Sequence, residues 1–208
     1  MDIDFELQKY DVSRETIQKL KDFVTILRDW NEKMNLVSKK SMEDVWGRHV
    51  LDSLQLMEYL PAAVKSLVDI GSGAGFPGVV LAIAMQEKFP TAQVTLVESI
   101  TKKTVYLKDV CQKLGLNNVT VENNRVENIV FKNIDVITAR AVAALDILCG
   151  YAYKIGSKQT EMLFLKGQSY AQEDAAARQK WRYDADICPN RYADGGVIMK
   201  LRNLRKLK

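Results

Sequence analysis

Residues 67–83 read Leu-Val-Asp-Ile-Gly-Ser-Gly-Ala-Gly-Phe-Pro-Gly-Val-Val-Leu-Ala-Ile, and no other stretch restricts the fold as tightly. Leu67, Val68 and Ile70 form a short apolar run of the kind buried in a parallel sheet. Glycines at 71, 73, 75 and 78 end it abruptly, and an apolar run from Val79 to Ala84 then predicts the first turns of a helix. Pro77 suits a first helical position, where its missing N–H has no intrahelical partner to lose. Strand, glycine loop and helix follow one another. That order lets a backbone approach a ligand closely and offer it helix-end N–H groups. The ligand implied is nucleotide-like.

The spacing narrows the choice. A dinucleotide fingerprint needs Gly-x-Gly-x-x-Gly directly after the strand. Counted from Gly71, the third glycine would fall on Phe76; counted from Gly73 the pattern fits, two residues late. What begins on time is Asp69-x-Gly71-x-Gly73-x-Gly75, with Ser72 inside it. A carboxylate at Asp69 suits S-adenosyl-L-methionine, whose ammonium and sulfonium are cationic, better than a pyrophosphate. Asp69 is thus expected to hold the ammonium. Glu98, ending the next apolar run, is expected to accept from the ribose hydroxyls, although NAD sites also use an acid there. Gly73 is expected to need positive φ or a close approach to the ligand.

The remaining chain alternates short apolar runs with helical patterns. Strands are expected at 67–70, 93–98, 119–122, 134–138 and 161–165, and helices at 79–88, 101–114, near 145–153 and, more polar, near 172–181. Gly115 is placed to cap the second of these helices. Two late strands, 183–188 and 197–201, predict a hairpin with one antiparallel strand. The expected architecture is α/β: a Rossmann-like, class I methyltransferase sheet of seven mostly parallel strands. Before it, residues 1–60 read as a helical extension packed on the core at 61–208, within one structural domain. Ser13 is read as the cap of a helix carrying Ile17, Leu20, Val24, Leu27, Trp30 and Met34. Ser41 is read as the cap of a second, with Val45, Val50, Leu54 and Met57 inward.

With 47% hydrophobic and 27% charged residues the 208-residue chain has globular composition, and no apolar run is long enough to span a membrane. The acidic N-terminus lacks a secretory pattern, and three scattered cysteines form neither a disulfide framework nor a zinc site. A cytoplasmic monomer is expected, with no membrane attachment. The net charge of +4 is small, though Lys200, Arg202, Arg205, Lys206 and Lys208 crowd the C-terminus as either a binding segment or a solvated tail.

Ligands of open parallel sheets lie beyond the carboxyl ends of the strands. That rule nominates Asp69–Phe76, Glu98, 125–127, 138–140 and Lys166. Arg125, Arg140 and Lys166 would repel a sulfonium, so they fit either a polyanionic substrate or ion pairs with Asp69, Glu98 and Glu127. Absences matter as well. The Asn/Asp-Pro-Pro-Tyr/Phe loop of exocyclic amine methylation is missing, and Cys149 and Cys188 are out of place for a thiolate nucleophile. The acceptor must already be nucleophilic, such as a ring nitrogen with a lone pair, and positioning suffices. His49 shares a helical face with Asp52 and Ser53 and can bond either. Trp30, Trp46 and Trp181 could stack a base, but helical spacing assigns the first two to the core.

Several segments together resemble one family, the bacterial 16S ribosomal RNA guanine-N7 methyltransferases, also called glucose-inhibited division protein B. They are Trp30-Asn31…Asn35-Leu36, Arg48-His49-Val50-Leu51-Asp52-Ser53, Asp69 through Phe76-Pro77-Gly78, and Glu98-Ser99 with Lys102-Lys103. Arg125-Val126-Glu127, Thr138-Ala-Arg140-Ala-Val-Ala143 and Leu165-Lys166-Gly167 complete the set, in family order from about residue 30 to 167. The resemblance implies methylation of N7 of one guanine in the decoding-region stem-loop of 16S rRNA, free or in a small-subunit precursor. It implies that Gly71, Phe76, Val126, Glu127 and Arg140 line the cofactor, with Arg125 and Lys166 turned to RNA or the reacting base as catalytic groups. A protein or small-molecule methyltransferase, or an assembly factor that binds the cofactor without turnover, remains as the alternative.

Overall fold

The computed structural model describes residues 3–131 and 133–207. Helices α1 (Ile3–Gln8), α2 (Arg14–Asn31) and α3 (Lys39–Glu43) come first. A π-helical turn, Trp46–Leu51, then runs into α4 (Asp52–Leu54) and a 3-10 turn, Gln55–Tyr59. The alternating part is β1 (Ser66–Ile70), α5 (Gly78–Lys88), β2 (Gln93–Glu98), α6 (Thr101–Lys113), β3 (Val119–Asn123), β4 (Val136–Arg140), α7 (Leu145–Ile155) and β5 (Glu161–Lys166). It closes with α8 (Tyr170–Ala177), β6 (Trp181–Pro189) and β7 (Val197–Lys206). The sheet has seven strands in the order β3-β2-β1-β4-β5-β7-β6. β7 runs antiparallel to both β5 and β6, and all the other pairings are parallel.

Helix α5 explains the N-terminal helices. Gly78 to Met85 is buried without interruption, so the sheet can cover only part of this apolar segment. The rest is covered by α2, whose Leu20, Phe23 and Leu27 are fully buried in the same cluster as Val79, Leu81 and Ile83. Each such side chain contributes roughly 1.5–3 kcal/mol relative to an exposed one. Polar contacts fix the register. Ser13 caps α2 by accepting from the Thr16 amide at 3.2 Å, and Glu87 of α5 accepts from the Thr16 hydroxyl at 2.7 Å. A second cluster on the other sheet face joins α7, α8 and the β6–β7 hairpin around Leu148, Phe164 and Met199.

Several boundaries differ from the sequence reading. The cap of α3 is Ser38, which accepts from the Ser41 amide, and Ser41 lies inside the helix. Pro77 sits one position earlier than expected, at the N-cap of α5. The polar helix ends at Ala177. Trp181 opens β6, because its ring is buried and its Nε1 donates to the Asp146 carbonyl at 3.0 Å. Strand β4 starts two residues later than expected. The basic C-terminus is not a tail. It belongs to β7, where Lys200 pairs with Glu161 at 2.7 Å and Arg202 with Asp186 at 2.8 Å, and Lys208 lies outside the described residues. Gly115 does stop α6: at φ +60° it lets Leu116 N bond Cys111 O and its own N bond Gln112 O.

Candidate active site

Strand register places the site. Ile70 pairs with Val97 on one side and with Ala139 on the other, so Gly71, Glu98 and Arg140 emerge at one level. The chain then turns back over the sheet edge, as the Gly71 and Ser72 amides donate to the Val97 carbonyl at 2.8 and 3.0 Å. Gly71 and Gly73 adopt φ of +68° and +54°, as the expectation for Gly73 required. At Gly71 a Cβ would also stand 2.6 Å from Val142 Cγ2, so the backbone is approached closely there.

Asp69 does not face a ligand. It is completely buried beneath the loop, where Oδ1 accepts from the Thr138 hydroxyl at 2.8 Å and Oδ2 from the Gly78 amide at 3.2 Å. Burial pushes its carboxyl up to about 6. The expected contact with an ammonium is therefore corrected: Asp69 ties the loop to the start of α5. Glu98 remains at the surface of the pocket. Its Oε2 accepts from the Gly73 amide at 3.1 Å and its Oε1 from the Ile100 amide at 2.8 Å, which leaves further lone pairs open.

Two small cavities flank Glu98 and share Gly71, Ser99 and Val142 in their walls. The first, about 120 Å³, is lined by Ile70, Val97, Arg125, Val126, Glu127 and Tyr151. The second, about 340 Å³, runs past Ser72, Gly73 and Phe76 to Lys103 and Arg140. The cofactor-lining set implied by the family resemblance is brought together here. Arg125 is exposed at the mouth and forms no ion pair among the described residues. Lys154 Nζ donates to the Glu127 carbonyl and holds that corner.

A larger cleft of about 1030 Å³ meets the second cavity along Arg140, Ala141 and Val142. Its walls come from the π-helical turn, the end of β4, Lys166 with Glu173, and the β6–β7 turn at Asn190–Asp194. Arg140 donates to Asp52 Oδ2 at 3.0 Å and to the Arg48 carbonyl at 2.8 Å, with its guanidinium 5.1 Å from the Phe76 ring centre. Asp52 also accepts from Asn190 Nδ2 at 2.6 Å. Lys166 pairs with Glu173 at 2.6 Å and donates to the Ala143 carbonyl at 3.0 Å. The proposed partners Asp69, Glu98 and Glu127 are thus wrong for both cations. Asp52 and Glu173 take those places because the helical turn and α8 lie against the strand ends.

His49 corrects another expectation. The π-helical turn shifts its side chain away from the Asp52 and Ser53 positions of a regular helix, and the Ser53 hydroxyl donates to the His49 carbonyl instead. The imidazole stacks on Phe76, ring centres 4.9 Å apart and 21° from parallel. Burial first, then Arg140 and Arg48, hold it at about 3, so it is neutral at pH 7. Both other tryptophan assignments are settled by packing. Trp30 Nε1 donates to Asp109 at 2.7 Å, and Trp46 packs against the core. Cys149 is buried and pushed up to about 12, and no group of metal-ligating side chains exists among the described residues.

Glu173 and Asn190 escaped the sequence reading, and Val142 stood inside the quoted Thr138–Ala143 segment without a role of its own. Glu173 and Asn190 sit in polar, unpatterned stretches, and Val142 looks like any apolar residue after a strand. Among the described residues, no helix is long and apolar enough to cross a membrane.

The profile of the rRNA small subunit methyltransferase G family (GidB) matches residues 16–188. The ribosomal RNA small subunit methyltransferase G of Ruegeria sp. (strain TM1040) is 39% identical over 197 residues, 95% of this chain and 95% of its own. That of Rickettsia akari (strain Hartford) is 39% identical over 197 residues, 95% of this chain and 99% of its own. The structure also resembles that of M. jannaschii TYW2 in complex with AdoMet, with TM-score 0.58, 14% identity and 77% of each chain covered. A methyltransferase from Geobacter sulfurreducens aligns with TM-score 0.57 and 14% identity over 87% of this chain and 88% of that one. At these identities the two structures speak to the fold, which is the Rossmann-like one of class I methyltransferases.

Proposed function

The chain belongs to the rRNA small subunit methyltransferase G family, and from that premise we propose that its cleft presents N7 of one guanine of 16S rRNA, in the decoding-region stem-loop, to the cofactor. The coarser activity is that of an S-adenosyl-L-methionine-dependent methyltransferase of small-subunit rRNA. The observation that carries the finer reading is the junction along Arg140–Val142, where the large cleft opens onto the glycine-loop cavity. Among the described residues no cysteine lines the cleft or the cavity, and the carboxylates nearest that junction, Asp52 and Glu173, are held in ion pairs, which suits an acceptor with its own lone pair.

The residues fit the cofactor in a definite order. Val126 and Ile70 would enclose the adenine and Glu98 would accept from the ribose diol. Gly71, Ser72 and Gly73 with Phe76 would frame the methionine part, while Gly75, expected beside them, turns toward Val79 and Phe23 and serves the bend of the loop; Lys103 is the cation suited to the carboxylate. The cofactor, when bound, would supply a sulfonium methyl to the N7 lone pair, the thioether sulfur keeping the S–C electron pair and the positive charge ending on the purine. No proton has to leave. Arg140 aligns the wall between cleft and cavity through Asp52, while Lys166 holds Ala143 and so the far side of that wall. Arg125, exposed and without an ion pair among the described residues, is a cation available to phosphate. Residues 1–60 serve as an extension within one domain, and the site of action is cytoplasmic, with a monomer engaging free rRNA or a subunit precursor.

The test is transfer of labelled methyl from S-adenosyl-L-methionine into under-methylated 16S rRNA, offered both free and in small subunits. The expected product is one N7-methylguanine, mapped by chain cleavage at the modified base. Label in protein, or cofactor binding with no transfer, would point to the competing activities.

A further inference from the structure

The β6–β7 hairpin pairs its charges along most of its length and leaves them unpaired at its far end. Lys200 pairs with Glu161, Arg202 with Asp186 and Lys180 with Asp146. Arg182 and Arg205, in contrast, stand opposite one another in the strand register, both exposed, and neither forms an ion pair among the described residues. Like charges facing across a strand pair destabilise it. These residues border a groove. A cavity of about 350 Å³ between the C-terminal end of α7 and the end of β7 has Lys158, Arg205 and Lys206 in its wall and no carboxylate. Lys158 and Lys206 are exposed and also lack ion pairs among the described residues. Tyr153 in the same wall is 52% exposed, its ring steadied by Trp181 at 5.4 Å between centres. Val197 pairs with Lys166 at the large cleft, and Arg205 is eight residues further along β7. At about 3.3 Å per residue the groove lies roughly 26 Å from the cleft, at the opposite end of the sheet.

We propose that this groove is a second RNA-docking site, which takes a phosphodiester segment of the small-subunit rRNA remote from the base being methylated. The inference rests on the rRNA substrate of the reading above and not on which base is modified. Three cations without a counter-charge match the phosphates of a backbone, and bound phosphate relieves the repulsion they exert on one another in the free protein. The exposed Tyr153 ring offers a surface to a base or sugar, as aromatic side chains do where proteins hold unpaired RNA. The distance favours a long, folded RNA over a small anion. A lone phosphate in the groove would have no bearing on a reaction roughly 26 Å away. One continuous RNA joins the two places, and engagement of the groove raises the effective concentration of the target base at the cleft.

The test removes the three charges together, by Lys158→Ala, Arg205→Ala and Lys206→Ala, and measures binding to small subunits and to deproteinised 16S rRNA, both under-methylated. Affinity should fall about tenfold or more, and the plot of log binding constant against log salt should flatten by about two to three units. The RNA KM should rise in step, with kcat and the cofactor Kd within about twofold of wild type. Melting temperature should hold or rise slightly, since Arg182 loses the like charge opposite it. Two further proteins make the result decisive. The charge-preserving triple Lys158→Arg, Arg205→Lys and Lys206→Arg should bind as wild type does. A triple that removes exposed cations from α2 and α6, Arg14→Ala, Arg28→Ala and Lys108→Ala, should keep most of its affinity. An alanine triple in the groove with wild-type affinity and salt slope overturns the proposal. So does an equal loss in the α2–α6 triple, which would make net charge the cause, and so does a charge-preserving triple that binds as poorly as the alanine one. A wild-type protein that binds neither RNA overturns the rRNA reading and the groove with it. Methyl transfer into 16S rRNA by the wild type upholds that reading, whatever the variants do.

Discussion

The two sides of the site are assembled in opposite ways. The cofactor side is one continuous stretch, Asp69 to Gly78, folded back on the end of β2, with its polar groups satisfied by the adjoining strands through Val97, Thr138 and Glu98. The cleft side is joined from afar: Asp52 and Asn190 are 138 positions apart, and Asp52 and Arg140 are 88 apart. One side depends on close backbone approach, which demands glycine. The other depends on charge pairing across packed elements, which long, flexible side chains supply. Mutations should therefore fail differently on the two sides, through crowding on one and through orphaned charge on the other.

The largest effect is expected from Arg140→Ala. It would leave the Asp52 carboxylate, itself almost fully buried, with only the neutral donors Asn190 and Gln55. Removing one partner of a buried pair costs roughly 3–5 kcal/mol, and the remaining donors argue for the lower end. About 3 kcal/mol corresponds to a fall in melting temperature of roughly 6–12 °C for a chain of this size. Arg140→Ala with Asp52→Ala together should cost less than the sum of the two. A strictly additive pair in calorimetry would show that the cleft side is not held by that charge pair.

Gly78→Ala should come next. A Cβ there would lie 2.4 Å from Leu96 Cδ2 and 2.5 Å from Asp69 Oδ2, in a part of the core with no room to yield. Overpacking of this kind costs about 1–3 kcal/mol, and the displaced Asp69 would release the loop, so cofactor affinity should fall with stability. Gly73→Ala provides the contrast. Its Cβ would meet nothing closer than 3.6 Å, but φ of +54° remains strained, so affinity should suffer more than melting temperature. If both variants lose stability equally, the loop is not organised by close approach at Gly78.

This contrast also explains what could be read from sequence. The glycine loop, its strand and its helix were legible because each residue type is dictated by local geometry, and Glu98 because a strand end is defined by its apolar run. Helix α2 was legible from the spacing of Leu20, Val24 and Leu27, whereas α1 was not expected, Met34 lies past the end of α2, and the one helix expected after Ser41 is broken into α3, the π-helical turn, α4 and a 3-10 turn. Asp69 was misassigned because its charge sign suited the cofactor, while its burial depends on Thr138 and Gly78, which only the folded sheet brings near. The partners of Arg140 and Lys166 were missed for the same reason. His49 was misplaced because a π-helical turn breaks the spacing that a regular helix would impose.

Glu98→Ala tests the surface of the cofactor side with a smaller effect. Losing a charged acceptor for the ribose should weaken S-adenosyl-L-methionine binding about tenfold by calorimetric titration. The Gly73 and Ile100 amides would turn to water at little cost in stability, because they lie near the pocket opening. Unchanged affinity in a folded Glu98→Ala protein would remove Glu98 from the binding role and leave it as a loop tie, like Asp69.

The smallest effect is the most discriminating. Arg125 and Lys166 look equivalent in sequence, each a cation after a strand, but only Lys166 is committed, to Glu173 and to the Ala143 carbonyl. Arg125 is exposed at the mouth with no ion pair among the described residues, so its charge is free to meet a phosphate. Arg125→Ala should leave melting temperature and cofactor affinity nearly unchanged and weaken RNA binding modestly. It should also flatten the plot of log binding constant against log salt by about one unit or slightly less, the share of one phosphate contact. Lys166→Ala should do the opposite: little change in salt slope, but lower stability, because Glu173 loses its cation and keeps only the Leu145 amide and the Ser169 hydroxyl, and the Ala143 wall loses its support. Should the salt slope respond to Lys166 instead, the Glu173 pair opens when RNA binds and the cleft side is less rigid than its bonds imply. Equal slopes in both variants and wild type would move the phosphate contacts elsewhere on the surface.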